Sequence, residues 1–152
     1  MIAELDFFAL EAVLIARLEA QLADLVPAVQ VLTSVDLDGV SEAQQHTPAV
    51  HLVYQGYNVA ESRADGKAAR VEQTWLVVVA TRNQRSLRSG QEARADAGLI
   101  ARRVCAALMG FKPTAASKPL ALTEAPAAGY SAGFQYVPLG FKAEVVIDPR
   151  AT

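Results

Sequence analysis

Residues 71–86 read VEQTWLVVVATRNQRS and residues 95–110 read ADAGLIARRVCAALMG, and the change of period between them decides the fold. In the first stretch Trp75, Val77, Val79 and Thr81 point one way in an extended chain, and Leu76, Val78 and Ala80 the other. Both sets are largely apolar, which suits a central strand covered on both faces. Through the second stretch and the residues just before it, Ala93, Ala97, Ile100, Val104 and Leu108 fall on one helical face, with Arg94, Arg102 and Arg103 off it, and Gly110 is placed to end the helix. A buried strand leading into an amphipathic helix is a scaffold. No reactive group stands out in it.

Working outward, Asp6 is the expected N-cap of a first helix running to about Leu25. Phe7, Leu14, Leu18, Leu22 and Leu25 share a narrow arc of that helix, flanked by Leu10 and Ile15, and Pro27 bars its continuation. Glu11 lands inside the apolar stripe and is expected to snorkel outward. Val29–Val35 predicts a short strand, and an acidic turn follows from Asp36 to Thr47. Ala49–Tyr57 alternates Val50, Leu52 and Tyr54 against His51, Val53 and Gln55, a second strand. Residues 58–70, NVAESRADGKAAR, are polar and small with a turn signal at Asp65-Gly66, and read as a long mobile hairpin arm. Beyond the second helix, Leu120–Thr123 is a brief strand. Tyr130–Val137 and Phe141–Ile147 are expected as a closing antiparallel pair, with Pro138-Leu139-Gly140 as the turn or bulge between them. The order α-β-β-β-α-β-β-β predicts an α+β fold, an antiparallel sheet with two helices packed on it, in one domain over residues 1–152.

Composition bounds the function. The chain of 152 residues is 52% apolar and 20% charged, which argues against disorder. No apolar run approaches the roughly 20 residues of a membrane span. The opening MIAELDFF is acidic where a secretory signal is basic, so export is not expected. The single cysteine, Cys105, forms no internal disulfide and fits a reducing compartment. The net charge of −2 conceals an asymmetry. Residues 1–42 hold eight acids against Arg17 alone, whereas residues 82–103 hold six arginines against Glu92 and Asp96. Regions of opposite sign either neighbour each other within the fold or attract another copy of the molecule.

Catalytic motifs fare poorly. Gly129-Tyr130-Ser131-Ala132-Gly133 matches the G-x-S-x-G nucleophile elbow, which needs a strand-to-helix turn and a later His. A strand-like FQY follows instead, and no His occurs after His51. His46 and His51 are too few for a zinc site, and Cys105 reads as a core thiol. There is neither a Walker sequence nor a Gly-rich dinucleotide turn. No enzyme, metal or cofactor is expected. The stretch TRNQRSLRSGQEAR offers Arg82, Arg85, Arg88 and Arg94 to phosphates, yet the chain is net acidic and no aromatics interleave to stack bases. A protein interface or a solvated loop is the better reading, without sequence-specific nucleic acid.

The order of the pieces IARLEAQL, PAVHLVYQGY, WLVVVATRNQRS, ADAGLIARRVCAALMGFKP and YSAGFQYVPLGFKAEVVI resembles the small tail terminator, or tail completion, proteins of Mu-like phages with contractile tails. The resemblance covers nearly the whole chain and rests on the tryptophan-led strand, the helix ending in L-x-G-F-K-P and the terminal aromatic strands. It implies a structural part of the virion tail, present in host cytoplasm during assembly. That part closes the head-proximal end of the tail tube, stops its polymerisation and presents a head-joining surface. It also implies a homohexameric ring whose partners are other copies of itself, the tail tube protein and head–tail connector proteins, with no membrane involved. A prophage or a phage-tail-like bacteriocin would use the same part. Arg63, Lys67 and Arg70 of the hairpin, Arg82, Arg85 and Arg88 of the arginine stretch, and Asp36 and Asp38 of the acidic turn are the candidate subunit or tube contacts. Two other readings stand beside this one: another ring component of the tail, and a small cellular α+β ligand-binding or regulatory module.

Overall fold

The computed structural model describes residues 6–33, 47–82, 91–131 and 133–149. The elements are α1 (Ala9–Leu22), β1 (Gln30–Thr33), β2 (Ala49–Ser62), β3 (Ala69–Arg82), α2 (Gln91–Leu108), β4 (Ala121–Thr123), β5 (Gly129–Ser131) and β6 (Phe134–Ile147). The α+β class and the expected order hold. The strands form a six-stranded sheet in the order β1-β2-β3-β6-β4, with β5 also pairing β6. One correction concerns its edge: β1 runs parallel to β2, with Gln30 opposite Ala49 and Thr33 opposite Leu52. A parallel pair needs a crossover of about a dozen residues or more. The stretch between Thr33 and Ala49 is long enough for that crossover, and the acidic turn expected from Asp36 to Thr47 falls almost wholly outside the described residues.

The helices cover one face of the sheet. Leu10, Leu14, Leu18 and Leu22, spaced by four, are all at most 2% exposed. Burying each side chain contributes about 1.5–3 kcal/mol. From α2 come Ala97, Ile100, Val104, Ala107 and Leu108. Beneath them lie Val50, Leu52, Val71, Trp75, Val77, Val79, Phe141 and Ala143. On β3 the set Trp75, Val77, Val79 and Thr81 is buried as the spacing predicts, and Leu76 and Ala80 on the other face are buried too. Gly110 ends α2 with φ of 79°, and its N–H donates to the Leu120 carbonyl at 2.9 Å. Helix α1 is shorter than expected at both ends. Phe8, not Asp6, occupies the cap position. Asp6 instead accepts the Phe8 N–H on Oδ1 at 2.7 Å, which shapes the turn before the helix. Glu11 is half-buried.

Two further expectations are corrected. The closing strand pair is one continuous strand, β6, registered against β3 from Phe134 opposite Arg82 to Ile147 opposite Ala69. Pro138 falls in the interval between the stretches of β6 that pair with β5 and β4, where a missing N–H removes no ladder bond on that edge. Gly140 is required because the backbone of β4 crosses there. A Cβ on it would sit 2.5 Å from the Glu124 carbonyl oxygen and 3.1 Å from Thr123 Cγ2. The mobile arm is likewise mostly ladder. Pairing of β2 with β3 continues to Ser62 opposite Ala69, through register shifts after Tyr54 and after Val59. At the first shift Gly56 takes φ of 134°, a conformation that favours glycine. Only residues 63–68 form the turn. The polar composition that read as a loop belongs to a paired strand, β2, exposed almost throughout residues 57–62.

Candidate assembly surfaces

The catalytic motif dissolves on inspection of its geometry. Gly129–Ser131 is strand β5, Gly133 turns with φ of 86°, and the chain enters β6 with Ser131 opposite Phe134. A strand–turn–strand hairpin does not raise a serine onto a helix N-terminus as the elbow does. His51 is buried on β2 and His46 lies outside the described residues. Burial pushes the Cys105 thiol up, opposed by the charge of Arg102, so it is not an activated nucleophile. Among the described residues no group of three His, Cys, Asp or Glu could hold a metal ion, and no helix is long and apolar enough to cross a membrane.

The hairpin cations are largely engaged within the chain. Arg63 donates to Asp65 through Nε at 2.9 Å and through Nη2, and the Lys67 N–H donates to Asp65 Oδ1 at 3.0 Å. The Arg63 bond, then the Lys67 N–H, lower the Asp65 pKa. Arg70 lies 2.7 Å from Glu61 on the neighbouring strand and 3.9 Å from Glu144. Glu144 also accepts the Ser117 hydroxyl at 2.7 Å and pairs with Lys118 at 3.3 Å. The Ser117 bond is the largest cause of its lowered pKa, with Lys118 and Arg70 adding to it. This cluster ties the connector after α2 to the sheet. Of the three cations, Lys67 makes no ion pair among the described residues. It is exposed at the tip.

Among the described residues the two charged regions meet through one ion pair. Arg103 on α2 grips Asp24 after α1 with bonds of 2.9 and 2.8 Å, and donates to the Gln21 carbonyl at 3.1 Å. Those bonds hold the Asp24 carboxyl below its ordinary value and raise the Arg103 pKa. Arg17 does similar work between the helices, donating to the Ala107 carbonyl at 2.9 Å with its guanidinium 4.5 Å over the Phe111 ring. Arg82 closes β3 and lies 5.1 Å from the Phe134 ring centre. Asp36, Asp38, Arg85 and Arg88 lie outside the described residues. The structure therefore does not bring the eight candidate contact residues into one patch. Those it describes divide between the hairpin (Arg63, Lys67, Arg70) and the opposite end of β3 (Arg82).

One surface escaped the sequence reading. Between the start of α1 and the end of β6 runs a groove of about 470 Å³, lined by Phe7, Ala9, Leu10, Ala115, Val145 and Ile147, with Asp6 and Asp148 among its polar lining. A second hollow, lined by Gly66 to Ala69, shares Ile147 and Pro149 with it. Tyr57 and Val59 of β2, on the same sheet face through their register with Gln73 and Val71, are 54% and 56% exposed. The available signal was the alternation of Ala143, Val145 and Ile147 at the end of β6. Nothing local marks the groove itself, because its walls come from three separated parts of the chain.

The chain matches the family model of the Phage tail terminator protein over residues 3–151. No curated protein matches it. Among solved structures it is similar to a chain of the virion of a native gene transfer agent (GTA) particle, at 18% identity with a TM-score of 0.49, covering 86% of this chain and 84% of that one. With a match spanning nearly its whole length, the chain belongs to the phage tail terminator family, structural proteins of the virion tail.

Proposed function

We propose that the protein is a tail completion factor. It assembles as a homohexameric ring on the head-proximal end of the tail tube, ends tube polymerisation and presents the surface that head–tail connector proteins join. Its partners on this reading are further copies of itself, the tube protein and the connector, and its place before particle assembly is the host cytoplasm. The observation that carries the reading is the family match over residues 3–151. It is supported by a subunit whose two sheet ends differ in chemistry, a hairpin with an apolar groove at one and Arg82 at the other. Such a subunit suits a head-to-tail interface, in which each copy offers one patch to a different patch of the next.

The test is to add the purified protein to polymerising tail tubes and image them by negative stain. Expected are rings in the free protein or on tube ends, density at one end only, and tubes that stop lengthening. Tubes that grow unchanged with bare ends would overturn the reading. Replacing residues 63–68 with an Asn-Gly turn should leave the thermal melt nearly unchanged, because that turn lies outside the core, and reduce end binding if the hairpin touches the tube.

A further inference from the structure

The groove beside Leu10 and Val145 has an apolar floor and two carboxylates, Asp6 and Asp148, in its lining. Its complement is an apolar side chain flanked by cations. The chain contains one such segment outside the described residues, Arg85-Ser86-Leu87-Arg88. We propose that the groove seats Leu87 of a second copy, with that copy's Arg85 and Arg88 against Asp6 and Asp148, so that subunits join head to tail. This rests on the ring assembly proposed above and names its contact.

Distance rules out the same copy. Leu87 follows Arg82 by five residues, a reach of at most about 18 Å. Arg82 ends β3, whereas the groove residue Val145 pairs with Val71 near the start of that strand. Eleven residues of strand separate them, roughly 36 Å at about 3.3 Å per residue. A segment and a groove that fit each other and cannot meet within one molecule make a heterologous contact. Such contacts generate rings when the rotation closes and filaments when it does not. Charge also disfavours the nearest alternative occupant, residues 1–5 of the same copy, because Glu4 would bring another acid to a lining that already holds two. Asp148 is within electrostatic range of Arg63 of its own chain. Seating Leu87 supplies the buried apolar area, and the arginines fix its direction and register.

The experiment is a charge-swap mixture followed by sedimentation velocity. Arg85→Glu with Arg88→Glu, and separately Asp6→Lys with Asp148→Lys, should each weaken self-association by at least about tenfold, since each sets like charges against each other. Mixed one to one, the two variants should assemble again. Alternating copies then present Glu to Lys and Arg to Asp at successive contacts. Asp6 also accepts the Phe8 N–H, so thermal melts accompany the series, and Asp148→Lys alone replaces the double change if that one unfolds. Variants that associate like the wild type, or a mixture that stays dissociated, would overturn this contact while leaving the ring. So would dissociation on deleting residues 1–5 when the arginine reversals have no effect. A wild type that stays monomeric alone and on added tail tubes would overturn the ring reading as well.

Discussion

Gly140→Ala is the sharpest test of how β4 is held to β6. The added Cβ would meet the Glu124 carbonyl oxygen at 2.5 Å, where ordinary contact begins at 3.4 Å, and Thr123 O at 3.2 Å. Both oxygens belong to backbone, so no side chain can swing aside. The strand end must retreat by roughly 0.9 Å, which strains the pairing of Thr123 with Gly140 and of Leu122 with Phe141 in a strand only three residues long. Overpacking of this kind costs about 1–3 kcal/mol. The smaller entropy of an alanine in the unfolded chain offsets about 0.4–1 kcal/mol. A net loss of about 1–2 kcal/mol lowers the melting temperature by roughly 2–8 °C in a chain of this size. Gly98→Ala is the reference. It is exposed on α2 with nothing within 4 Å of the new Cβ, and removing a helical glycine should stabilise by about 0.5–1 kcal/mol. Calorimetry on the two variants should therefore move in opposite directions. If Gly140→Ala melts at or above the wild type, the crossing of β4 is looser than these distances say and the reasoning is wrong.

Three further outcomes are expected. Gln73, fully buried, donates to the Phe7 carbonyl at 2.8 Å and accepts from Trp75 Nε1 at 3.1 Å. Gln73→Leu strands both partners and should cost about 2–6 kcal/mol, at about 1–3 for each unsatisfied group. Urea titration followed by the fluorescence of Trp75, the only tryptophan, would read this directly. Glu144 and Asp24 titrate below their ordinary values in the folded chain, so the stability they supply is present above their unfolded pKa. It is lost as pH falls through the lowered values. Glu144→Gln with Asp24→Asn should flatten the acid side of a plot of melting temperature against pH, and an unchanged slope would refute the pairing. Ser131→Ala should leave folding and tail completion intact, whereas ester hydrolysis by the wild type that vanishes in this variant would restore the hydrolase reading.

What could be read from the chain alone was what short-range period encodes. Trp75, Val77, Val79 and Thr81 are buried because a two-residue repeat allows only one arrangement on a covered strand. Leu10, Leu14, Leu18 and Leu22 are buried for the same reason at a period of 3.6. Pro138 and Gly140 misled because their local meaning is a turn, and their actual roles depend on strands distant in sequence. Pro138 occupies a gap in edge pairing and Gly140 a backbone crossing. The parallel pairing of β1 is equally non-local. The hairpin misled through composition, since a strand exposed on both faces is as polar as a loop. Charge counting left two options open, and among the described residues Asp24 with Arg103 realises the intramolecular one.

That single pair bears on the assembly surfaces. An arginine already held by three bonds within its own subunit is poorly suited to steer a neighbour, so in the proposed ring that role would fall to Arg82, Arg85 and Arg88 instead of Arg103. Arg82 lies at one end of β3. At the other end Tyr57, Val59 and Ile147 leave apolar area uncovered beside Asp6 and Asp148. What differs between the ends is the groove: Arg82 over the Phe134 ring stands at one, and an apolar groove with Asp6 and Asp148 beside the hairpin at the other, which gives the subunit a direction along its strands. A part proposed to meet a tube on one side and a connector on the other needs such a direction. The long central strand β3, with β6 paired along its full length, is the element that fixes it.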